Sequence, residues 1–193
     1  MKCATCKQKL CYQEGKDCPG LRDESLDAYD TDENRAMMQA AAKLEAGKIM
    51  DMIRVEELMA FAQNMGYSHL GIAFCIGLAS EARSLAPIIE KQFNVSSVCC
   101  KVCGAEKKDL GLPETKKEGR DSICNPLGQA LVLNRAGTDM NILLGLCVGH
   151  DMLFTSNSQA PVSTLIVKDR VLANNPAGAL YSPYYKMKLA NNK

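Results

Sequence analysis

Residues 69–100, HLGIAFCIGLASEARSLAPIIEKQFNVSSVCC, contain the pattern that decides the fold. The run HLGIAFCIG is short and continuously apolar, which is typical of a strand buried on both faces of a sheet. Residues 78–93 then have helical character, although Pro87 predicts a kink or an early end. VSSVCCKVC predicts a second strand. A strand, a helix and another strand in this order form the unit from which parallel sheets are built.

The alternation continues toward the C-terminus. Residues 126–135 predict a helix with proline at its start, and MNILLGLCVG predicts a third strand. A short helix or turn is expected around residues 150–156. STLIVKDRV, rich in Val and Ile, predicts a fourth strand. We therefore expect residues 25–193 to form one α/β domain, a mostly parallel sheet with flanking helices in a three-layer, Rossmann-like arrangement.

Two helices are predicted before the first strand. Thr31 is suited to be the N-cap of a helix that ends near Gly47, since Asp and Glu follow it and apolar residues recur at helical spacing. A second helix is predicted from Asp51 to Met65, and Gly66 is suited to end it.

Composition narrows the class of protein. Of the 193 residues, 47% are hydrophobic and 23% are charged, and the net charge is +1. These are ordinary globular values, and so balanced a charge gives no support for nucleic acid or a membrane surface as partner. The first residues lack the apolar core of a signal peptide, and LGIAFCIGLA is too short to span a bilayer. We expect a cytoplasmic protein.

Ten cysteines are the unusual feature of the composition. A reducing cytosol keeps thiols free, so clusters of cysteine there indicate metal binding or thiol chemistry rather than a disulfide framework. Burial as small apolar side chains is the alternative for a lone cysteine in an apolar strand.

Residues 1–24 form a polar segment that has too little apolar periodicity to build a core. Its four cysteines have the spacing C-x2-C-x4-C-x6-C, which is short enough for four thiolates to close around zinc or an iron–sulfur cluster. Metal binding would also supply the energy to order the segment. The alternatives are disordered thiols or a redox-active pair. The predicted ligands are Cys3, Cys6, Cys11 and Cys18.

A second group of cysteines follows the ends of the predicted strands. In open parallel sheets, ligands bind outside the carboxyl ends of the strands, so these cysteines should meet at one edge of the sheet. A surplus of thiols there favours an iron–sulfur cluster or a reactive extra thiol. Strand alternation suggests that Cys99 points away, and His150 is a further candidate. The predicted ligands are Cys75, Cys100, Cys103, Cys124 and Cys147.

Between Cys103 and Cys124 lies a Lys- and Glu-rich stretch, GAEKKDLGLPETKKEGRDSI. A loop of this length inside a compact domain is usually functional or disordered. It is either a solvated insertion or a cover over whatever the cysteines at its two ends hold. The chain lacks GxGxxG after a strand, a Walker A loop, HExxH and GxSxG, so nucleotide cofactors and hydrolase triads have no support in the sequence.

Several of these motifs together resemble an uncharacterised prokaryotic family of cysteine-rich proteins proposed to bind metal. The resemblance rests on MKCATCKQKLC, LGIAFCIGLASEA, CCKVCG, CNP, GLCVGHD and APVSTLIVKDRVLANNP, and it covers nearly the whole chain. It implies a cytoplasmic bacterial or archaeal protein and carries over no assigned catalytic residue.

Three functions remain open from the sequence. The first is a zinc or iron–sulfur protein in redox chemistry or electron transfer, which would need a redox partner protein. The second is a thiol enzyme for redox or sulfur transfer, which would use Cys100 with Cys103, or Cys147 with His150. The third is a zinc-ordered module whose N-terminal segment binds another protein.

Overall fold

The computed structural model describes residues 1–47, 51–116 and 118–191. The chain divides into two compact units, residues 1–51 and residues 52–193. The first unit therefore contains the Cys-rich segment 1–24 and, in addition, the helix predicted after Thr31.

The described residues of the N-terminal unit form several helices. A 3-10 turn spans Cys3–Thr5, and it is followed by α1 (Leu10–Gln13), α2 (Arg22–Asp27) and α3 (Asp32–Glu45). The hydroxyl of Thr31 accepts a hydrogen bond from the backbone N–H of Asn34 at 3.2 Å, so the predicted N-cap is confirmed.

The second unit is an α/β structure with a four-stranded sheet. Its strands are β1 (His69–Phe74), β2 (Asn94–Cys99), β3 (Met140–Leu144) and β4 (Val162–Ile166). Their order is β2-β1-β3-β4, and all neighbouring pairs are parallel. The predicted fold class is confirmed, and the strand order, which the sequence did not reveal, places the first strand in the interior of the sheet.

Helices cover both faces of the sheet. The helices of the second unit are α4 (Arg54–Asn64), α5 (Ala79–Ile89), α6 (Pro126–Ala136), α7 (His150–Asn157), α8 (Gly178–Tyr181) and α9 (Pro183–Asn191). Residues of α4 and α5 pack with Leu70 and Ile72 of β1. Residues of α6 and α7 pack with Ala73 and Leu143 on the opposite face. Alternation along β1 and β3 thus supplies two apolar layers, as period-2 side-chain geometry requires.

Strand ends differ from the predicted ones in a way that matters for the site. The fourth strand stops at Ile166, so the charged residues of the predicted strand STLIVKDRV lie in the loop that follows it. The second strand stops at Cys99, and Cys103 belongs to a short 3-10 turn, Val102–Gly104. Pro87 lies inside α5 rather than ending it. No helix in the described ranges is both long enough and apolar enough to cross a bilayer.

Gly71 lies in the middle of β1, where the side chain of Asn141 crosses from the adjacent strand. A Cβ at Gly71 would overlap Asn141 Oδ1 and approach Leu133 Cδ1 to 2.9 Å. Asn141 is fully buried and is held in place, since it accepts from Thr138 Oγ1 and donates to Ser158 Oγ, each at 2.8 Å. The position therefore requires glycine because a neighbouring polar network occupies the space of a side chain.

Asp139 ties the start of β1 to the start of β3. Its carboxylate accepts from the backbone N–H groups of Ser68 and His69 at 2.7 and 2.8 Å, and from Ser68 Oγ at 3.2 Å. These hydrogen bonds, the one from the Ser68 backbone above all, lower the pKa of Asp139 below its ordinary value. His69 itself pairs with Ser96 Oγ at 2.9 Å across the sheet.

Gly71→Ala should lower the free energy of unfolding by about 2–3 kcal/mol, because the new methyl group displaces a buried hydrogen-bonded amide. Urea unfolding followed by circular dichroism measures this. Gly178→Ala is the control, since the nearest atom to its Cβ would be 3.8 Å away, and it should be close to neutral. A similar loss for both variants would contradict the packing argument.

Asp139→Asn should cost about 1–2 kcal/mol of stability at neutral pH, since hydrogen bonds to an ionised acceptor are replaced by weaker ones. A depressed folded-state pKa contributes stability above the unfolded pKa, and that contribution is lost as pH falls through the folded value. The difference between wild type and variant should therefore shrink below about pH 4. Urea midpoints at several pH values measure it, and a difference that does not change with pH would show that the charge plays no part.

Candidate functional site

Cys75 and Cys100 directly follow β1 and β2, and backbone hydrogen bonds hold them next to each other. Cys75 N–H donates to Leu144 O at 3.2 Å, and Cys100 N–H donates to Phe74 O at 2.9 Å. Because Phe74 pairs in register with Cys99, the next residues along, Cys75 and Cys100, stand side by side. Both pack in the same cluster, on the side of the sheet covered by α6.

The thiol of Cys100 is the most enclosed of this group. Cys100 is 2% exposed, and its sulfur accepts the N–H of Ile76 at 3.3 Å. Burial raises the pKa of the Cys100 thiol to about 12, and the adjacent Cys124 and Cys75 thiols act in the same direction. On its own Cys100 is therefore a neutral thiol at physiological pH, and only a bound cation would make its thiolate stable there.

Cys124 reaches the same place from the loop before α6. The N–H of Asn125 donates to Cys100 O at 2.7 Å, which fixes the chain directly beside the end of β2. Asn125 also caps α6, since its side chain accepts from Gly128 N–H at 2.8 Å. The Cys124 thiol is near enough to raise the pKa of Cys100, and it packs against the apolar cluster to which Cys100 belongs.

Cys147 completes the group from the turn between β3 and α7. Its sulfur accepts a hydrogen bond from the guanidinium of Arg170 at 2.9 Å. This bond, together with the negative charge that Cys147, Cys75 and Cys124 can carry, raises the pKa of Arg170. The hydrogen bond thus ties Cys147 to the loop after β4, and we call Cys75, Cys100, Cys124 and Cys147 the sheet-edge thiols.

A second cation lies close to the sheet-edge thiols. Lys168 Nζ and Cys75 Sγ both approach Gly77, and a Cβ there would lie 3.2 Å from the ammonium nitrogen and 3.9 Å from the sulfur. Lys168 and Arg170 follow β4, so all four strands and their following loops contribute to this edge.

The predicted ligand Cys103 has no part in these interactions among the described residues. Cys103 is exposed and has a left-handed backbone with φ of 64°. Cys99, which the sequence predicts to point away, is half-buried and pairs in register with Phe74, yet it packs against the same apolar cluster as Cys75 and Cys100. His150 begins α7, and it lines a cavity that Cys124 also lines.

The sheet-edge thiols do not form a closed coordination cage. Across residues 1–47, 51–116 and 118–191, no group of three or more His, Cys, Asp or Glu side chains is positioned to hold a metal ion. Metal binding there would have to draw the sulfurs closer together, and part of the binding energy would be spent on that movement.

The four N-terminal cysteines line one small cavity of about 170 Å³ in the first unit. All four are exposed. Backbone N–H groups of Lys9 and Gln8 donate to the Cys6 sulfur, and these bonds lower the pKa of Cys6. The turn that follows Cys18 is held by Asp17, whose carboxylate accepts from the backbone N–H groups of Gly20 and Arg22 at 2.9 and 3.0 Å.

Sequence reasoning missed three residues at the sheet edge. Lys168 and Arg170 were hidden because the fourth strand was extended through them, although charged residues directly after an apolar strand are the signal for its carboxyl end. Gln129 interrupts the apolar stretch of α6. It is fully buried, and its Nε2 donates to Phe74 O and Val98 O at 3.1 and 2.9 Å. Its Oε1 is without a hydrogen-bond partner among the described residues.

Comparison with known proteins places the chain among relatives of unrecorded activity. The family described as "Protein of unknown function (DUF1847)" matches residues 13–165. An uncharacterised protein of the archaeon Methanocaldococcus jannaschii is 48% identical over 194 residues, which cover the whole of both chains. No solved structure matches the chain.

Proposed function

The chain belongs to the DUF1847 family, and we propose that this member is a metal-binding protein whose cysteines hold zinc, an iron–sulfur cluster or both. The sheet-edge thiols are the principal site, and the N-terminal segment is a second one. We propose that it takes part in redox chemistry or electron transfer in the cytoplasm, together with a redox partner protein.

The observation that carries the proposal is the gathering of four thiols from distant parts of the chain. Cys75 and Cys100 follow adjacent strands, the nearby Cys124 thiol raises the pKa of Cys100, and the Cys147 sulfur accepts a hydrogen bond from Arg170 at 2.9 Å. Ordinary core packing does not require four cysteines at the ligand-binding edge of a parallel sheet.

The donor set suits a soft metal centre. Four thiolates are the ligands of structural zinc and of iron–sulfur clusters. Either centre with four thiolates carries net negative charge, and Arg170 and Lys168 lie where they would offset it. Between the two, we assign iron–sulfur to the sheet edge, where a bound cluster would supply one-electron transfer.

The N-terminal segment is assigned zinc. Its four exposed cysteines line a cavity of about 170 Å³, which is a small enclosure for four sulfurs. The N–H groups of Lys9 and Gln8 that donate to the Cys6 sulfur would stabilise a bound thiolate.

Protein purified without oxygen should contain metal, measured by elemental analysis together with the visible absorption spectrum. Cys124→Ser and Cys147→Ser should remove the broad visible absorption of the sheet-edge cluster, because each deletes one ligand. Cys11→Ser should lower only the zinc content. Cys99→Ser is the matched control and should keep both.

Two outcomes would contradict this proposal. One is a colourless, metal-free preparation in which all ten thiols titrate freely. The other is equal metal loss in Cys99→Ser and Cys124→Ser, which would show that metal does not depend on the sheet-edge thiols. The absence of tryptophan leaves the spectrum easy to read.

A second candidate function is thiol chemistry at Cys147. The hydrogen bond from the Arg170 guanidinium to the Cys147 sulfur at 2.9 Å is the observation that favours it, since it places a cationic donor directly on that sulfur. The alternative nucleophile, Cys100, is buried with a pKa raised to about 12, so it is poorly suited to that role.

If this candidate is correct, Cys147 should be the fastest of the sheet-edge thiols to react with iodoacetamide in chelator-treated protein, and the buried Cys100 the slowest. Arg170→Met should slow Cys147 by about tenfold, because the thiolate loses its cationic partner. Arg83→Met, an exposed arginine of α5, is the control. Mass spectrometry of peptides over time gives the rates, and uniformly slow labelling would rule the candidate out.

A further inference from the structure

We infer that the cavity beside Cys124 and His150 is a binding site for a small oxyanion, such as a phosphate or a carboxylate. The cavity has a volume of about 600 Å³, which lies in the range of ligand pockets. The charged stretch between Cys103 and Cys124 forms one wall, and Cys124 and His150 form the other. We call it the lysine pocket, after Lys101, Lys107 and Lys116, which line it.

The wall made by the charged stretch is built by its own hydrogen bonds. Lys107 N–H donates to Asp121 O at 3.0 Å, and Ile123 N–H donates to Ala105 O at 3.1 Å, so the two ends of the stretch pair with each other. Asp121 is 7% exposed and accepts from the backbone N–H groups of Thr115 and Lys116 at 2.6 and 3.1 Å. The pocket is therefore formed before any ligand arrives, which reduces the entropic cost of binding.

The charge of the pocket is positive. Among the described residues that line it, three ammonium groups face a single carboxylate, that of Asp121. That carboxylate accepts hydrogen bonds from the backbone and from Thr115, which lower its pKa, and it also pairs with Lys107 at 3.6 Å. Among the described lining residues, the charges of Lys101 and Lys116 are then left without a carboxylate to balance them. The local excess of positive charge favours an anionic occupant.

Donors remain available to such a ligand. Lys101 Nζ donates to Ser122 O at 2.9 Å, and Lys116 Nζ donates to Arg120 O at 3.1 Å. Each ammonium has three donors, so these two bonds hold the side chains while leaving further N–H groups for an oxyanion. Lys107 Nζ lies 3.6 Å from Asp121 Oδ2 and 3.0 Å from Thr115 Oγ1, and its side chain is 20% exposed.

The position of the pocket links it to the thiol site. Cys124 lines the pocket and also contacts Cys100, so an anion held by the lysines would lie next to the sheet-edge thiols. Binding of the anion does not depend on metal. If the proposed metal centre is present, the pocket would deliver an anionic substrate or ligand to it, and that further step rests on the proposed function.

Isothermal titration of the full-length protein, as purified and at low salt, with inorganic phosphate tests the inference. Lys107→Met and Lys116→Met should each weaken phosphate binding by about tenfold, because each removes one charge-assisted contact. Lys108→Met is the matched control, since Lys108 is exposed outside the pocket and pairs with Glu106 at 3.3 Å, and it should bind like wild type. Parallel titrations with acetate show whether a carboxylate is preferred to a phosphate.

Lys116 is exposed, so Lys116→Met should fold normally and still test the inference even if Lys107→Met unfolds the loop. No heat of binding with either anion in wild type would overturn the inference. So would equal affinity in wild type, Lys108→Met and Lys116→Met. Metal content is measured on the same samples, and binding that follows lysine identity in samples with and without metal separates this inference from the metal proposal.

Discussion

Parallel pairing of β1 with β2 and β3 is the constraint on which the rest of the molecule depends. In parallel strands every carboxyl end points to the same edge, and side chains alternate strictly between two faces. The register of Phe74 with Cys99 then makes Cys75 and Cys100 neighbours, and places Cys147 and Lys168 after the next two strands. A shift by one residue would send Cys75 and Cys100 to opposite faces.

Buried thiols and cationic side chains lie next to each other at this edge of the sheet. The apolar cluster around Ala73, Leu143 and Phe154 makes the Cys100 thiolate costly, as its raised pKa of about 12 shows. Arg170, which is exposed, donates to the Cys147 sulfur, and Lys168 Nζ lies beside Gly77, as Cys75 Sγ does. Enclosed thiols with two cationic side chains nearby are the basis on which we propose an anionic metal centre, and the lysine pocket adds positive charge beside Cys124.

Much of the fold could be predicted because it depends on local patterns. Continuous apolar runs identified β1 and β3, and Pro126 and Thr31 marked helix starts that the structure has within one residue. Strand ends were harder. The run STLIVKDRV has high β-propensity throughout, yet β4 stops at Ile166, since only the part that pairs with β3 is held as strand. The β-propensity of a segment does not indicate how many of its residues will pair with the neighbouring strand.

The sequence by itself determined the ten cysteines and the alternation of strands and helices that makes a parallel sheet. It therefore also determined that Cys75 and Cys147 lie at one edge of that sheet. Only the tertiary structure decided which thiols meet. The hydrogen bond from Asn125 N–H to Cys100 O places Cys124, rather than Cys103, beside Cys100. Loop packing also places Arg170 against Cys147 and the three lysines around one pocket. The reason is physical: contacts between residues far apart in the chain depend on strand order, register and loop packing, and local sequence encodes none of these directly.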